Sequence, residues 1–118
     1  MEIKNIPFAQ DVVTKAAAGG EIEFYNFSPN SKTGIKNLEL KIYYHGGQRK
    51  IIVLHDFGFQ ITSEEVEVRP FLNKAERDRE ICRLYNEHNL SQNFLANFFG
   101  ISQPSVSVIV KRYKTAQG

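Results

Sequence analysis

The sequence has a single cysteine, Cys82. One thiol cannot form a disulfide within the chain, and with no second cysteine near it a thiolate metal cluster has no support. The three histidines, His45, His55 and His88, lack the short spacings of metal ligands. We therefore expect no metal site, and we predict that Cys82 is a buried thiol without a chemical role.

Long apolar runs and nucleotide-binding loops are also missing. No run approaches the roughly 20 apolar residues that a membrane span needs, and residues 1–5, MEIKN, lack the basic-then-apolar order of a signal peptide. Neither Gly19-Gly20 nor Gly46-Gly47 precedes the Lys-Ser/Thr of a phosphate-binding loop. These absences predict a cytoplasmic protein with no membrane association and no cofactor. Its 118 residues, 42% of them hydrophobic, suffice for one ordinary core or two small lobes.

Acidic residues are absent from the last part of the sequence. Residues 1–71 carry eight Lys/Arg against nine Asp/Glu, a net charge of −1, whereas residues 72–118 carry seven against four, a net of +3. From His88 onward there is no acidic residue, and Lys111, Arg112 and Lys114 lie within four positions. Such a terminus suits a polyanionic partner, although a basic tail that is merely solvated has the same composition.

An alternating pattern occupies the first part of the chain. Between residues 21 and 68, β-branched and aromatic residues alternate with polar ones, which predicts strands. One strand places Leu38, Leu40, Ile42 and Tyr44 on one face and Glu39, Lys41, Tyr43 and His45 on the other. Gly46-Gly47 predicts a tight hairpin into a second strand over residues 51–59, and residues 28–34 have the composition of a loop. We expect an antiparallel sheet.

A short helix is predicted ahead of this sheet, ended by Gly19-Gly20. The residues along its apolar side are Phe8, Val12, Val13, Ala16 and Ala17. Such a stripe can cover one face of the sheet.

After Pro70 the apolar period becomes helical and stays so. Asn73 followed by Glu76 resembles a capping box, which predicts a helix over residues 74–87. Ser91 can cap a second helix, which is predicted to end by Phe99. Leu90 and Leu95 have the spacing of a hydrophobic staple at its start.

The segment after the second helix predicts a tight turn into a third. Ala96 is small enough for two helices to approach closely, and Gly100 tolerates the positive φ of a turn. Ser102 or Gln103 can cap the third helix, with Pro104 in its first turn. The residues expected to face a common core are Leu95, Phe99, Ile101, Val106 and Ile109.

This pattern resembles the helix-turn-helix family of DNA-binding proteins, as found in phage repressors and in the terminal domains of resolvases and invertases. The resemblance spans roughly residues 75–114, and its motif is Gln92-x-x-Leu95-Ala96-x-x-Phe99-Gly100-Ile101-Ser102 with Val106 and Ile109. It implies a sequence-specific, dimeric DNA-binding regulator, such as an autorepressor of a phage or mobile element, and no enzyme. A helical bundle used only for protein contacts remains an alternative.

The helical wheel separates an inward from an outward face of the third helix. With Val106, Ile109, Val110 and Tyr113 turned inward, Gln103, Ser107 and Lys111 lie on the opposite face with Ser105 and Val108 beside them. Gln can pair with adenine, Lys can donate to guanine, and a valine can meet a thymine methyl. The residues that the resemblance assigns to DNA are Ser91, Gln92, Asn93, Ser102, Gln103, Ser105, Ser107, Val108, Lys111, Arg112 and Lys114. Simple solvation is the alternative for the polar ones.

A second resemblance points to a different activity. The hairpin LELKIYYHGGQRKIIVLHDFGFQI, residues 38–61, is similar to the end of RelE/HigB-type ribonuclease toxins, in which basic residues on a sheet contact messenger RNA. Arg49, Lys50 and His55 would then be the RNA-contacting residues. The strand after Leu54 lacks the lysines that such toxins carry there.

Taken together, the sequence predicts an α+β protein: a small antiparallel β-sheet lobe with one short helix over residues 1–71, followed by a three-helix helix-turn-helix domain over residues 72–118. The first lobe is expected to dimerise the protein, since the aromatic residues Tyr25, Phe27, Tyr43 and Tyr44 exceed what a small core can hold and some should be exposed. Binding of an effector or of a second protein is an open alternative for this lobe.

Overall fold

The computed structural model of the protein describes the backbone of residues 5–117 and the side chains of residues 5–112. The chain divides into two compact units, Met1–Glu67 and Val68–Gly118, a few residues before the joint predicted ahead of Leu72. The first unit contains helix α1 (Gln10–Ala17) and strands β1 (Glu21–Pro29), β2 (Lys36–Tyr43), β3 (Arg49–Asp56) and β4 (Ile61–Val66). The second contains helices α2 (Lys74–His88), α3 (Gln92–Phe99) and α4 (Gln103–Gln117). The predicted α+β class, a sheet lobe followed by a helical part, is confirmed.

The four strands form an antiparallel sheet in the order β1-β2-β3-β4. The predicted hairpin between β2 and β3 is confirmed, because Gly46 and Gly47 have φ of 102° and 86° and the Tyr44 N–H donates to the Gln48 carbonyl at 2.9 Å. Three strand ends differ from the prediction. β3 begins at Arg49, two residues earlier than expected. β3 stops at Asp56 because Gly58, with φ of 89°, turns the chain into β4. β1 extends to Pro29, which pairs with Lys36.

The core of the first unit lies between α1 and one face of the sheet. Leu38, Leu40 and Ile42 are fully buried there, together with Val13 and Ala17 of α1. The predicted alternation along β2 and the predicted stripe on α1 are therefore confirmed. The helix ends differently from the prediction, however: its left-handed cap is Ala18, with φ of 49°, whose N–H donates to the carbonyls of Thr14 and Lys15.

The prediction that some of the sheet aromatics would be exposed is wrong for the four residues named. Tyr25, Phe27 and Tyr44 are half-buried against the core under α1, because their register puts them on the same face as Leu38 and Leu40. Tyr43 is half-buried beneath the guanidinium of Arg49, 5.0 Å from its ring centre. The exposed aromatic rings of this unit are Phe57 and Phe59 in the β3–β4 turn.

The helices of the second unit begin at the residues that the sequence indicated. The Asn73 side chain accepts a hydrogen bond from the Glu76 N–H at 2.9 Å, and Ser91 Oγ accepts one from the Phe94 N–H at 3.1 Å. Asn89, in the left-handed conformation with φ of 55°, caps the end of α2. The large side chains that are fully buried in this unit are Ile81, Leu84, Leu90, Phe94, Leu95 and Val106.

Gly20 offers a direct test of how α1 joins the sheet. A Cβ at this position would lie 2.5 Å from Ile42 Cγ2 and 2.8 Å from Tyr44 Cε1. We expect Gly20→Ala to lower the free energy of unfolding by about 1–3 kcal/mol, because one of these packed side chains must move. Chemical denaturation of the full chain measures this change.

The matched control is Ala18→Gly, two residues earlier. It relieves the positive φ of Ala18, so its stability should equal or exceed that of the wild type. Equal stability of Gly20→Ala and the wild type would contradict the close approach.

Candidate nucleic-acid interface

A three-residue turn, Gly100 to Ser102, joins α3 to α4. Gly100 has φ of 69°, and the Ile101 N–H donates to the Ala96 carbonyl at 3.0 Å. Ser102 Oγ accepts a hydrogen bond from the Ser105 N–H at 3.2 Å and so caps the start of α4. The glycine and the cap that the sequence predicted therefore lie in the turn, and the predicted small residue, Ala96, lies in the last turn of α3.

Helix α4 has one buried and one exposed side along its described length. Val106, Ile109 and Val110 are at most 6% exposed, as predicted for the inward face. Tyr113, predicted to face inward, and Lys114, predicted to contact DNA, lie outside the described side chains. The residues of the exposed side are Gln103, Ser105, Val108, Lys111 and Arg112, with Ser102 just before the helix and Ser107 half-buried at its margin. Val108 is 54% exposed, a large apolar side chain on an otherwise polar side.

A pair of glutamines links the starts of the two helices. Gln103 Nε2 donates to Gln92 Oε1 at 2.7 Å. A side-chain amide has two donor hydrogens and an acceptor oxygen, so this bond leaves Gln103 Oε1 and its second N–H in a fixed orientation. The edge of adenine in the major groove offers one donor and one acceptor, which match this amide. Sequence reasoning named both residues but missed their contact, although each is the first residue of its helix.

The start of α3 is the other predicted contact region. Ser91 is half-buried, and its Oγ accepts a hydrogen bond from the Phe94 N–H. Asn93, two residues further on, is exposed. The first N–H groups of a helix carry partial positive charge and suit a phosphate oxygen. Gln92, bonded to Gln103, stands at the same end. The structure therefore brings Ser91, Gln92 and Asn93 to the start of α4.

A groove of about 600 Å³ runs along the other flank of α4 and was not predicted. Ser105, Val108 and Arg112 line it on α4, and Lys74 and Arg77 line it from the first turn of α2. Arg77 lies 2.9 Å from the buried carboxylate of Asp78, which partly neutralises it. The sequence feature that could have indicated this groove is the pair of basic residues, Lys74 and Arg77, at the start of α2. They lie far along the chain from the helix-turn-helix motif.

The acidic residues of the helical unit are gathered on α2 with a cation among them. Arg83 contacts Glu80 at 2.6 Å and Glu87 at 3.4 Å, and the Arg69 N–H donates to Glu80 at 2.6 Å. Burial alone would raise the pKa of Glu80, but the hydrogen bonds from Arg83 and Arg69 outweigh it, so the pKa lies below its usual value. Neither α3 nor α4 contains an acidic residue.

The residues of the ribonuclease alternative are each engaged by a neighbour. Arg49 contacts Glu23 at 2.7 Å, and Lys50 contacts Glu65 at 3.1 Å. His55 Nδ1 lies 2.6 Å from Asn37 Oδ1. These contacts spread the three side chains over the sheet instead of gathering them at one point.

Cys82 is buried, and burial, with a smaller effect of Asp78, raises the pKa of its thiol to about 11. The thiol is therefore protonated at neutral pH. Within residues 5–112 no group of three or more His, Cys, Asp or Glu side chains is placed to hold a metal. Among the described helices, none has the length and apolar character needed to cross a membrane.

Comparison with protein-family models, curated proteins and solved structures finds no match to this chain.

The Glu80 cluster makes the stability of the wild type depend on pH. The pKa of Glu80 is lowered in the folded state. The ionised carboxylate therefore contributes fully to the free energy of unfolding above the ordinary pKa of 4.5, and this contribution is lost as the pH falls through the lowered pKa. We expect the wild type to melt at a higher temperature than Glu80→Gln at pH 7, and this difference to shrink progressively as the pH falls below 4.5. Thermal unfolding followed by circular dichroism measures both chains. A difference that does not change as the pH falls below 4.5 would mean that the charge of Glu80 is not the cause.

Proposed function

We propose that the protein is a sequence-specific DNA-binding regulator of transcription that acts as a homodimer, of the kind found in phages and mobile elements, and that it represses its own promoter. The observation that carries this proposal is the exposed side of α4, which begins at the Gln92–Gln103 pair and contains no acidic residue. An α-helix fits the major groove of B-DNA, and a helix that reads bases needs oriented polar side chains on its outer side.

The exposed side of α4 offers a contact for several kinds of base edge. Gln103, oriented by Gln92, suits adenine, and Lys111 suits guanine or a nearby phosphate. Val108, which would otherwise expose an apolar side chain to water, suits the methyl group of thymine. Ser102, Ser105 and Ser107 are smaller polar groups that can bond to either strand.

Phosphate contacts are available on both flanks of α4. The start of α3, with Ser91, Gln92 and Asn93, supplies one set. The groove between α4 and the start of α2 supplies the other, through Arg112 and the newly identified Lys74. We retain Lys114 as a phosphate contact because the end of the sequence is basic. Two flanking sets would hold the helix in register without reading sequence.

The proposed homodimer is supported by the short length of DNA that one recognition helix can contact. A single helix of this kind contacts a half-site of roughly 5 base pairs, which seldom gives specific affinity at physiological salt. Two linked copies gain from effective concentration, by roughly 100-fold or more when the spacing of the half-sites matches. The sheet unit is the part of the chain available to join the copies. An effector or a second protein bound to this unit would modify the regulator without replacing it.

Selection from a pool of random duplex DNA tests the proposal without knowledge of the natural site. Purified full-length protein should enrich a motif of two inverted half-sites, spaced by about one helical turn. A parallel incubation with RNA tests the ribonuclease alternative. No enrichment of any duplex would refute the proposal, and cleavage of the RNA would replace it by the alternative.

The glutamine pair predicts which substitutions change specificity. Gln103→Ala should weaken the free energy of binding to the selected site by about 1–3 kcal/mol, because a base contact is removed. Its binding to random DNA should be almost unchanged. Gln92→Ala should weaken binding to the selected site as well, because Gln103 loses the partner that orients it. In the double variant the loss should be smaller than the sum of the two. Fluorescence anisotropy with both duplexes measures all four proteins, and additive losses would count against the pair acting as one reader.

Salt dependence separates phosphate contacts from base contacts. Binding should weaken steeply with rising salt, because each neutralised phosphate releases counterions. Arg112→Ala and Lys74→Ala should each reduce the slope of log affinity against log salt by about 1 and weaken selected and random DNA equally. Lys32→Ala, a loss of the same charge in the β1–β2 loop, is the matched control and should leave the slope unchanged. A slope near zero for the wild type would argue against DNA as the partner.

A further inference from the structure

We propose that two adjoining grooves beside α4 bind an acidic segment of a partner protein, in which an apolar side chain lies on each side of the carboxylates, and that the bound segment keeps DNA away from α4. The binding of the segment is argued from the grooves alone. The exclusion of DNA rests on the proposed function, because it needs α4 to be the helix that enters the major groove.

The larger of the two, the α4 groove, is the groove of about 600 Å³ between α4 and the first turn of α2. The residues of its apolar wall are Ile101, Pro104, Val108 and Ile109. Phosphate oxygens are bound by cations, N–H groups and polar side chains, so a DNA backbone would leave most of this wall unused. An apolar side chain of a protein would cover the wall and remove Val108, which is 54% exposed, from water. The wall therefore favours a partner that has apolar side chains.

A smaller groove of about 300 Å³, the α2 groove, adjoins the first, because Lys74 and Arg77 line both. Phe71 and Leu72 also line the α2 groove, and both are exposed although they are large and apolar. The centre of the Phe71 ring lies 5.8 Å from that of Phe99 in α3, a contact that helps to fix its position. The two grooves thus have one apolar wall each and share two basic residues where they meet.

The charge of this surface is positive. Lys74 and Arg112 are exposed, and within the described residues neither side chain has an ion-pair or hydrogen-bond partner. Arg77 instead contacts the buried carboxylate of Asp78 at 2.9 Å, so these two charges balance each other. Two cations are left without a carboxylate, and carboxylates of a partner are complementary to them. An acidic segment with apolar flanks therefore matches both the charge and the walls of the grooves.

The segment and DNA would need the same side chains. Val108 is proposed to meet a thymine methyl, and Lys74 and Arg112 are proposed to contact phosphates. Because a side chain in contact with the segment is not available to the duplex, the two ligands would compete. A protein that carries such a segment would then relieve the proposed repression.

Selection from a displayed library of random linear peptides tests the chemistry of the grooves on the full-length protein, free of DNA. We expect enrichment of peptides in which apolar residues flank carboxylates. Enrichment of basic or uncharged peptides, or of none, would overturn the inference. A synthetic copy of the most enriched acidic peptide, the probe peptide, serves in the experiments that follow.

Hydrogen exchange on the wild type locates the bound probe peptide. At saturation we expect exchange to slow at least roughly threefold in fragments covering residues 71–77 and 101–112, and to be unchanged in the strands. Protection in the sheet instead of these segments would overturn the inference. So would protection of the same segments when the protein alone is concentrated, since a second copy would then occupy the grooves.

Two substitutions test the apolar wall and the charge separately. Val108→Ser and Lys74→Glu should each raise the dissociation constant of the probe peptide at least roughly tenfold, because one removes an apolar contact and the other reverses a charge. Phe59→Ser, at an exposed ring of the β3–β4 turn, and Lys32→Glu, in the β1–β2 loop, are the matched controls and should leave it unchanged. Unchanged affinity in folded Val108→Ser and Lys74→Glu proteins overturns the inference. Should either fail to unfold cooperatively, the exchange data on the wild type decide alone.

Competition with the selected duplex tests the exclusion of DNA. At about ten times its own dissociation constant, the probe peptide should raise the apparent dissociation constant of the duplex roughly tenfold. A complex that holds peptide and duplex together would overturn the exclusion. If no duplex is selected, the proposed function is refuted, whereas binding of the peptide in the grooves stands. If a duplex binds but no acidic peptide is enriched, the grooves serve phosphates only and the inference is overturned.

Discussion

The short turn between α3 and α4 is the constraint on which the arrangement of the helical unit depends. Three residues leave little freedom, and Gly100 takes the positive φ that a residue with a Cβ adopts only with strain. The Ile101 N–H then bonds back to Ala96, whose small side chain is almost completely buried. One consequence is that the first residues of the two helices, Gln92 and Gln103, are within hydrogen-bond distance. The orientation of a surface amide thus follows from a backbone turn.

Charge is distributed unevenly among the helices of this unit. The carboxylates of Glu80 and Glu87 lie on α2 and share the guanidinium of Arg83, which balances one of their two negative charges. The described parts of α3 and α4 have no carboxylate to balance, and the cations beside them, such as Arg112, meet the solvent. A polyanion approaching the unit would therefore be drawn towards α4 and would gain little from the Arg83 side of α2.

The sequence predicted those features that depend on neighbouring residues along the chain. The cap at Asn73, the cap at Ser91 and the alternation along β2 are set by spacings of two or three residues, and all were confirmed. The burial of Tyr25 and Phe27 was mispredicted, because it depends on how β1 is registered against β2 and on the helix above them.

The candidate site shows the same division between local and distant contacts. Its residues on α4 followed from a helical wheel, whereas the Gln92–Gln103 bond and the contribution of Lys74 to the groove require the three helices to be packed together. Helical periodicity relates residues a few positions apart and cannot predict that residues 74 and 112 line the same groove. What the sequence did contain was the turn that makes these contacts possible.

The burial of the only cysteine in the sequence makes it a natural reporter for α4. The thiol of Cys82 is 1% exposed and lies 3.5 Å from the Ile109 carbonyl, so it sits between α2 and α4. An alkylating reagent attacks the thiolate and needs access to the sulfur, and both conditions are met only when the two helices separate. The rate of alkylation would therefore report how often α4, the helix proposed to enter the major groove, separates from α2. A ligand that stabilises the packed position of α4 would lower this rate without contacting the sulfur.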